Sequence, residues 1–330
     1  MMPSLAFSAT AKVPLYNALI VPYNASALAY LGRWQDTGKG KWSGWGGTQL
    51  AFKVSGTRSF HIEVEVNDAD VANAVYLRVG IDNSPQMPIG WTLSSELVKY
   101  NGTRLVVVAL PDLLEHTIII HTAGNYAGMF AGTSKVLIKQ ILVPQGGVLT
   151  AWTQGSKYIQ TVGDSWMGSD CDWPRLMDRT KWKLFPIATG GFTAALMDTQ
   201  YNYKSSGVSA TDDPTMDAVI VSLGVNDYAQ GVSVPNFQTS LLALVDKIRA
   251  KQASAPIFLI QAPKNLGTGM DFGQYETAMQ NVVAARANTA YISTRSLEAS
   301  LTWEDNYHLD AAGKIILADY VNAALIAAGL

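Results

Sequence analysis

The feature that most constrains the fold of this chain is a change in hydrophobic periodicity near residue 150. Before it, apolar and polar residues alternate along short segments; in residues 60–66, Phe, Ile and two Val alternate with His and two Glu. A period of two is typical of β-strands that bury one face. After it, short apolar runs alternate with helical stripes, which is typical of a parallel sheet covered on both faces. The sequence therefore predicts two domains, residues 1–150 and residues 151–330.

The first half predicts an all-β domain of the sandwich or jelly-roll type. Clusters of Gly, Asn, Asp and Pro separate its strand-like segments, and no segment carries a helical stripe of three turns. We expect this domain to bind carbohydrate or to brace its neighbour, with a linker at residues 144–155. We expect its three histidines at the surface or on an edge strand: His61, His116 and His121. The strand-like segments are residues 49–54, 60–66, 74–81, 105–109, 117–121 and 135–143.

The second half predicts an α/β domain with five parallel strands. The apolar runs are residues 158–162, 184–188, 218–223, 257–261 and 291–293. Helices are expected around residues 237–248, 274–287 and 311–327, the last with Asp310 as its N-cap.

Charge and composition exclude several classes of protein and site. With 24 basic and 26 acidic residues, the chain has no excess of positive charge for a nucleic acid. Its longest apolar run, residues 323–330, is far shorter than the roughly 20 residues of a membrane span. A single cysteine excludes an internal disulfide and a cysteine zinc cluster. We interpret the low charge and the abundant Gly, Trp and Tyr as typical of an extracellular or virion-associated protein, although the N-terminus shows no signal-peptide pattern.

Four short blocks follow predicted strands or precede the last helix, and together they suit acyl transfer. Ligands of doubly wound sheets bind beyond the carboxyl ends of the strands, so we expect these blocks to converge. The blocks are Gly-Asp-Ser ending at Ser165, the pair Gly190-Gly191, Gly-Val-Asn-Asp containing Asn226, and Asp-Asn-Tyr-His ending at His308.

The residue types in these blocks supply a nucleophile, a base and oxyanion donors. A serine hydroxyl such as that of Ser165 is a weak nucleophile until a base takes its proton, and His308 is the only histidine of the second half. Asp305 precedes it by three residues, so one helical or 3₁₀ turn would let the carboxylate orient the imidazole. The Asn226 amide and backbone N–H groups of Ser165 and a glycine would bind the oxyanion.

The order of the four blocks resembles that of the SGNH, or GDSL-type, hydrolases. The resemblance covers residues 156–330. It implies a flavodoxin-like sheet with strand order 2-1-3-4-5, hydrolysis of esters, and no metal or other cofactor.

The resemblance also implies roles for five residues. Ser165 corresponds to the nucleophile, His308 to the base and Asp305 to the carboxylate that orients it. Gly191, in preference to the glycine before it, and Asn226 belong to the oxyanion hole together with the Ser165 N–H.

A second resemblance concerns the first half of the chain. The segments Tyr-Leu-Gly-Arg-Trp (residues 30–34) and Trp-Ser-Gly-Trp-Gly (residues 42–46) are similar to the first strands of carbohydrate esterase family 2, in which a jelly roll precedes an SGNH domain. That family removes acetyl groups from polysaccharides, which implies an acetylated carbohydrate as the substrate. Phage tail proteins that deacetylate surface glycans also join SGNH domains to β-rich modules.

The sequence leaves open the roles of two tryptophans and allows two alternative functions. Trp166 stands where the family usually has a small or aliphatic residue, and Trp303 precedes Asp305 by two residues. Each is expected either to contact substrate or to pack in the core, and a bulky wall at Trp166 would favour short acyl groups. The alternatives are a lipid or thioester hydrolase on the same scaffold, and a glycan-binding or virion structural protein without activity.

Overall fold

The chain folds into an antiparallel β-sandwich followed by an α/β region. The computed structural model describes residues 17–68, 76–82, 101–123, 126–153, 155–168, 173–177 and 182–330.

The sandwich consists of two antiparallel sheets. The first contains β1 (Leu19–Pro22), β3 (Trp34–Asp36), β4 (Lys41–Ser43), β6 (Ser59–Asp68), β8 (Gly102–Ala109) and β10 (Ser134–Val143). The second contains β2 (Ala29–Leu31), β5 (Gln49–Ser55), β7 (Tyr76–Ile81), β9 (His116–Ala123) and β11 (Val148–Thr150). The strand orders are β3-β4-β10-β6-β8, with β1 beside β10, and β11-β5-β9-β7, with β2 beside β5.

Alternation along the strands builds the core of the sandwich. Phe60, Ile62 and Val64 of β6 point inward and are at most 1% exposed. They meet the second sheet, where the ring of Phe52 lies 5.5 Å from that of Phe60 in an edge-to-face arrangement. The all-β prediction for this half is therefore confirmed.

Several details of the sandwich differ from the predictions. The linker prediction was wrong in part, because β11 lies within residues 144–155 and pairs with β5. A short helix, α1 (Tyr126–Ala131), was not predicted. Residues 74–75 of one predicted strand lie outside the described residues. The histidines at 61, 116 and 121 are 3–4% exposed, because β6 and β9 are inner strands of their sheets.

The α/β region has the predicted parallel sheet. Its strands are β12 (Lys157–Gly163), β13 (Trp182–Ala188), β16 (Ala218–Ser222), β17 (Ile257–Ile260) and β18 (Thr289–Ile292), and a hairpin of β14 (Tyr203–Ser205) and β15 (Val208–Ser209) lies beside it. The order β13-β12-β16-β17-β18 is the predicted 2-1-3-4-5. The helices are α2 (Ala194–Gln200), α3 (Val225–Ala229), α4 (Val234–Lys251), α5 (Glu276–Ala285) and α6 (Ala311–Ala327).

Side chains cap the starts of the long helices, and at α6 the cap is the predicted Asp310. Ser233 accepts a hydrogen bond from Asn236 N–H at the start of α4, and Asp310 accepts one from Gly313 N–H at 2.9 Å at the start of α6. The apolar stripe of α4 is fully buried against the sheet: Phe237, Leu241, Leu244, Val245 and Ile248. Within the described ranges, no helix is long and apolar enough to span a membrane.

A buried ion pair joins the two regions. The side chain of Arg33, in the sandwich, is fully buried, and its Nη2 and Nε donate to the Asp213 carboxylate at 2.6 and 3.0 Å. Its Nη1 donates to the backbone carbonyls of Tyr201 and Tyr203. Separation of the two regions or removal of either partner would leave an uncompensated buried charge. The pair therefore holds the sandwich and the α/β region together.

Candidate active site

The strand register brings three of the four blocks to one edge of the parallel sheet. Gly163, at the end of β12, is level with Ala188 of β13 and Ser222 of β16. Neighbouring strands lie about 4.8 Å apart, so the segments that follow these three residues emerge side by side.

The turn after β12 presents Ser165. A Cβ at Gly163 would lie 2.2 Å from the carbonyl oxygen of Ser222, so no larger residue fits at this point of the sheet. The backbone carbonyl of Asp164 accepts N–H bonds from Met167 and Gly168, each at 3.1 Å, which closes a tight turn. Ser165 itself is 7% exposed.

A continuous relay of hydrogen bonds joins the serine to the last block. Ser165 Oγ lies 3.0 Å from His308 Nε2, and His308 Nδ1 lies 2.9 Å from Asp305 Oδ2. The second carboxylate oxygen of Asp305 accepts the backbone N–H groups of Tyr307 and His308, each at 2.6 Å. Residues 143 positions apart in the chain are thus in contact, in the geometry of a nucleophile, its base and a carboxylate that orients the base.

The Asp305 carboxylate is held in its charged form. Burial opposes this charge, but the hydrogen bonds from the His308 ring and from the two backbone N–H groups outweigh burial and lower the pKa of Asp305. A charged carboxylate at Nδ1 fixes the tautomer in which Nε2 is free to accept a proton.

The loop that carries Asp305 and His308 is closed locally. An isolated antiparallel bridge between Trp303 and Leu309 forms its base. Asp305 contacts His308 through a turn capped by its own carboxylate, rather than through the predicted helical or 3₁₀ turn. Asn265, 3% exposed, donates from Nδ2 to the carbonyls of Asp305 and Asn306 at 3.4 and 3.3 Å.

Asn265 is a supporting residue that the sequence reading missed. It follows the end of β17 by five residues. A polar side chain just beyond the fourth strand of the sheet is the sequence signal that indicates its position near the site. Its Oδ1 accepts N–H bonds from Gly267 and Thr268, which orients the amide toward the Asp305 loop.

One of the predicted oxyanion donors, Asn226, contacts the serine turn. Asn226 Nδ2 donates to Asp164 Oδ2 at 3.1 Å, and a primary amide has a second N–H to offer. Gly191 has a φ of +80° and an exposed position, and no atom of the residues that the structure describes lies within 4 Å of where its Cβ would be. Among the residues that the structure describes, neither the Ser165 N–H nor the Gly191 N–H has an acceptor.

Two buried carboxylates beside the site residues support these loops. Asp164 Oδ1 accepts the Trp166 N–H at 2.9 Å, and both oxygens of Asp227 accept the Ala194 N–H. Burial raises the pKa of Asp164 to about 7, against the opposing effect of the bonds from Trp166 and Asn226. Burial also raises the pKa of Asp227 to about 6.

The structure decides between the two positions expected for Trp166. Trp166 is 1% exposed and packs in the core, so its ring does not form a wall that substrate can touch. The ring of Trp303 lies 5.8 Å from it, edge to face, and is half-buried. Of the two, Trp303 alone has a ring partly open to solvent beside the Asp305 loop.

A cavity of about 210 Å³ lies elsewhere, at the seam between the two regions. Its lining includes Tyr30, Arg33 and Lys204, and none of the predicted site residues. Arg33 is paired with Asp213, and Lys204 with Asp212 at 2.6 Å. Among the described residues, no three His, Cys, Asp or Glu side chains are placed to hold a metal ion.

Comparison with known proteins agrees with this geometry. Residues 153–314 match the GDSL-like Lipase/Acylhydrolase family. No curated protein matches the sequence.

Solved structures resemble nearly the whole chain at low sequence identity. A family two carbohydrate esterase from Clostridium thermocellum, in complex with cellohexaose, superposes with a TM-score of 0.70 at 17% identity over 90% of this chain and 98% of its own. A family two carbohydrate esterase from Cellvibrio japonicus gives 0.70 at 15% identity over 93% and 97%. An acetyl xylan esterase from Butyrivibrio proteoclasticus gives 0.66 at 13% identity over 93% and 98%.

These likenesses cover both the sandwich and the parallel sheet, so the order of the two regions is shared as well as each fold. The chain therefore has the two-part fold of the family two carbohydrate esterases, and the residues that match the GDSL-like lipase/acylhydrolase family, 153–314, make up most of its second part.

Proposed function

We propose that the protein is a serine carboxylic ester hydrolase that removes short acyl groups, acetyl above all, from a carbohydrate or polysaccharide. The observation that carries the proposal is the relay from Ser165 Oγ through the His308 ring to the Asp305 carboxylate, with contacts of 3.0 and 2.9 Å. The GDSL-like domain and its likeness to carbohydrate esterases support acyl-ester hydrolysis as the reaction.

In the first half of the reaction, His308 Nε2 takes the proton of Ser165 while Oγ attacks the ester carbonyl carbon. The N–H groups of Ser165 and Gly191 and the second N–H of Asn226 bind the resulting oxyanion. Collapse of the tetrahedral intermediate breaks the bond to the sugar oxygen, which leaves with the proton from His308. Throughout, Asp305 stabilises the imidazolium.

In the second half, a water molecule gives a proton to His308 Nε2 and attacks the acyl-serine carbonyl. Collapse of the second intermediate returns the proton to Ser165 Oγ and releases the carboxylic acid. The sum is one ester and one water converted to one alcohol and one acid, with the enzyme unchanged.

The carbohydrate part of the proposal is supported by the fold neighbours. One of them was solved with cellohexaose, and another is an acetyl xylan esterase. Because Trp166 is buried, a preference for acetyl does not rest on that ring. A polymeric glycan as substrate would also place the enzyme outside the cell or on a virion, in keeping with the low charge of the chain.

Hydrolysis of p-nitrophenyl acetate, butyrate and octanoate by the wild type and by Ser165→Ala tests the proposal. We expect the wild type to prefer acetate and the variant to be inactive, and we expect release of acetate from acetylated xylo- or gluco-oligosaccharides. A preference for octanoate would favour the lipid or thioester hydrolase. Glycan binding without turnover of any ester would favour the non-catalytic alternative.

A further inference from the structure

We propose that Trp45 and Gly46 of the sandwich are positioning residues for the oxyanion loop, defined as residues 189–192. This inference rests on the proposed function, because it concerns the placement of the Gly191 N–H during ester hydrolysis. It gives the sandwich an indirect part in the reaction. The sandwich positions a loop of the α/β region and needs no contact with substrate.

Gly46 holds the start of the oxyanion loop. Its N–H donates to the carbonyl oxygen of Ala188 at 3.0 Å, in an isolated antiparallel bridge. Ala188 is the last residue of β13, and β13 is an edge strand of the parallel sheet. The sandwich therefore extends that sheet by one bridge at the point where the loop leaves it.

Trp45 holds the end of the same loop. Its side chain is fully buried in the core of the α/β region, with its ring 6.1 Å from that of Phe192, edge to face. Its Nε1 donates to the carbonyl oxygen of Tyr203 at 3.0 Å, and its ring also meets that of Phe130 at 5.1 Å. Because Phe192 directly follows Gly191, two consecutive sandwich residues secure both ends of the loop.

The tip of the loop has little support of its own. Gly191 is exposed, and no atom of the described residues lies within 4 Å of its Cβ position. The other hydrogen bonds that the segment makes with described parts of the chain are Thr189 N–H to the Gly163 carbonyl at 3.1 Å and Phe192 N–H to the Thr189 carbonyl at 3.3 Å. The position of the Gly191 N–H therefore depends on how firmly its ends are held. Misplacement of a catalytic group by about 1 Å can lower a rate about 10²-fold.

The turn that carries these residues is itself fixed within the sandwich. Thr122 Oγ1, from the inner strand β9, donates to the Trp45 carbonyl at 3.0 Å, and the Gly47 N–H donates to the Thr122 carbonyl at 2.8 Å. A rigid turn on an inner strand is a suitable support for a group that must not move by a fraction of an ångström.

The test compares variants of the full chain in kcat, KM and melting temperature with p-nitrophenyl acetate. Trp45→Leu removes the ring contact with Phe192, and we expect kcat to fall by about 10- to 100-fold while KM changes less than about 3-fold. Trp45→Phe keeps a ring at this place, so we expect it to recover most of kcat. The matched control is Trp152→Leu, the same substitution at a buried ring that packs with Ile119 and Tyr158 in a separate cluster between the two regions; we expect its kcat to stay at the wild-type level even where its melting temperature falls.

Two results would overturn the inference while the proposed function stands. One is a Trp45→Leu enzyme with wild-type kcat; the other is a control whose kcat falls as far as that of Trp45→Leu at equal loss of melting temperature. If Trp45→Leu does not fold, Phe192→Leu removes the other half of the ring contact and carries the same expectations. A folded wild type without activity on any ester would overturn the proposed function, and this inference with it.

Discussion

Each region of the molecule holds a histidine against an aspartate, and the two histidines differ in their second partner. In the α/β region, His308 has Asp305 at one ring nitrogen and the Ser165 hydroxyl at the other. In the sandwich, His116 has carboxylates at both nitrogens, Asp82 at 2.5 Å and Asp112 at 3.0 Å.

The comparison shows that the second partner decides the chemistry of an imidazole. An imidazole between two carboxylates is held as a cation with both protons engaged, so it has no site to accept another proton. An imidazole between a carboxylate and a hydroxyl keeps one nitrogen free to act as a base. A histidine–aspartate contact alone is therefore no evidence for catalysis, and the following predictions separate the two cases.

The largest expected effect is on the nucleophile and its base. We expect Ser165→Ala and His308→Ala each to lower kcat for acetyl ester hydrolysis by at least about 10⁴-fold, because the members of a triad act as a unit. His116→Gln should leave kcat within about 2-fold, since His116 lies in the sandwich and contacts no site residue. A comparable loss in His116→Gln would contradict the separation of the two pairs.

The next largest expected effect is on the Asp305 carboxylate beside His308. We expect Asp305→Asn to lower kcat by about 10²- to 10³-fold, less than the serine or histidine variants. An asparagine oxygen can still accept the Tyr307 and His308 N–H groups, but its amide opposes the tautomer that the base needs. The Asp305 side chain is also 53% exposed, so water can replace part of its effect. A loss equal to that of Ser165→Ala in the same assay would show that the carboxylate is as essential as the nucleophile.

A third effect concerns Asn226, which has no counterpart beside His116. Removal of its amide by Asn226→Ala should lower kcat by about 10²- to 10³-fold with a small change in KM, because the donor acts on charge that develops in the transition state. Asn226→Leu is the matched variant, since it keeps the approximate size, brings no charge next to Asp164 and loses the donor, and we expect a loss of kcat of the same size. A change confined to KM would argue that Asn226 binds substrate in the ground state.

The smallest effect is on stability and belongs to the sandwich. Burial opposes a charge on His116, but the hydrogen bonds and charges of Asp82 and Asp112 outweigh burial and raise its pKa. A raised pKa of a base means that the stabilisation is complete below the ordinary value of about 6.5 and is lost as pH rises through the raised pKa. We expect the free energy of unfolding in urea to fall by about 1 kcal/mol or less over that rise, because both carboxylates are partly exposed. His116→Gln should remove this part of the pH dependence, and an unchanged pH profile in the variant would assign it to other groups.

The sequence predicts the α/β region well because its signals are local. Runs such as residues 218–223 are long enough to identify a buried strand, and Asp310 marks the start of α6. The rule that ligands bind at the carboxyl ends of parallel strands then brings Ser165 and His308 together without knowledge of a single distance.

What the sequence does not predict depends on non-local packing. Three-residue strands such as β11 are too short to show an alternation of apolar and polar residues. The sequence therefore predicts no strand within the linker. His61 stands at a polar position of β6, yet the neighbouring strands and their side chains bury it. The direction of Trp166 after the serine turn, and the reach of Trp45 into the second core, are set by contacts with residues far away in the chain.

Covalent labelling of the intact protein by a fluorophosphonate, read by mass spectrometry and peptide mapping, tests the central claim most directly. A serine activated by a neighbouring base reacts with this probe, whereas an ordinary turn serine does not. The relay predicts one adduct per chain, located on Ser165, no adduct in Ser165→Ala, and strongly slowed labelling in His308→Ala. A folded wild type that hydrolyses acetyl esters but is not labelled, or is labelled at another residue, would contradict the assignment of Ser165 as the nucleophile.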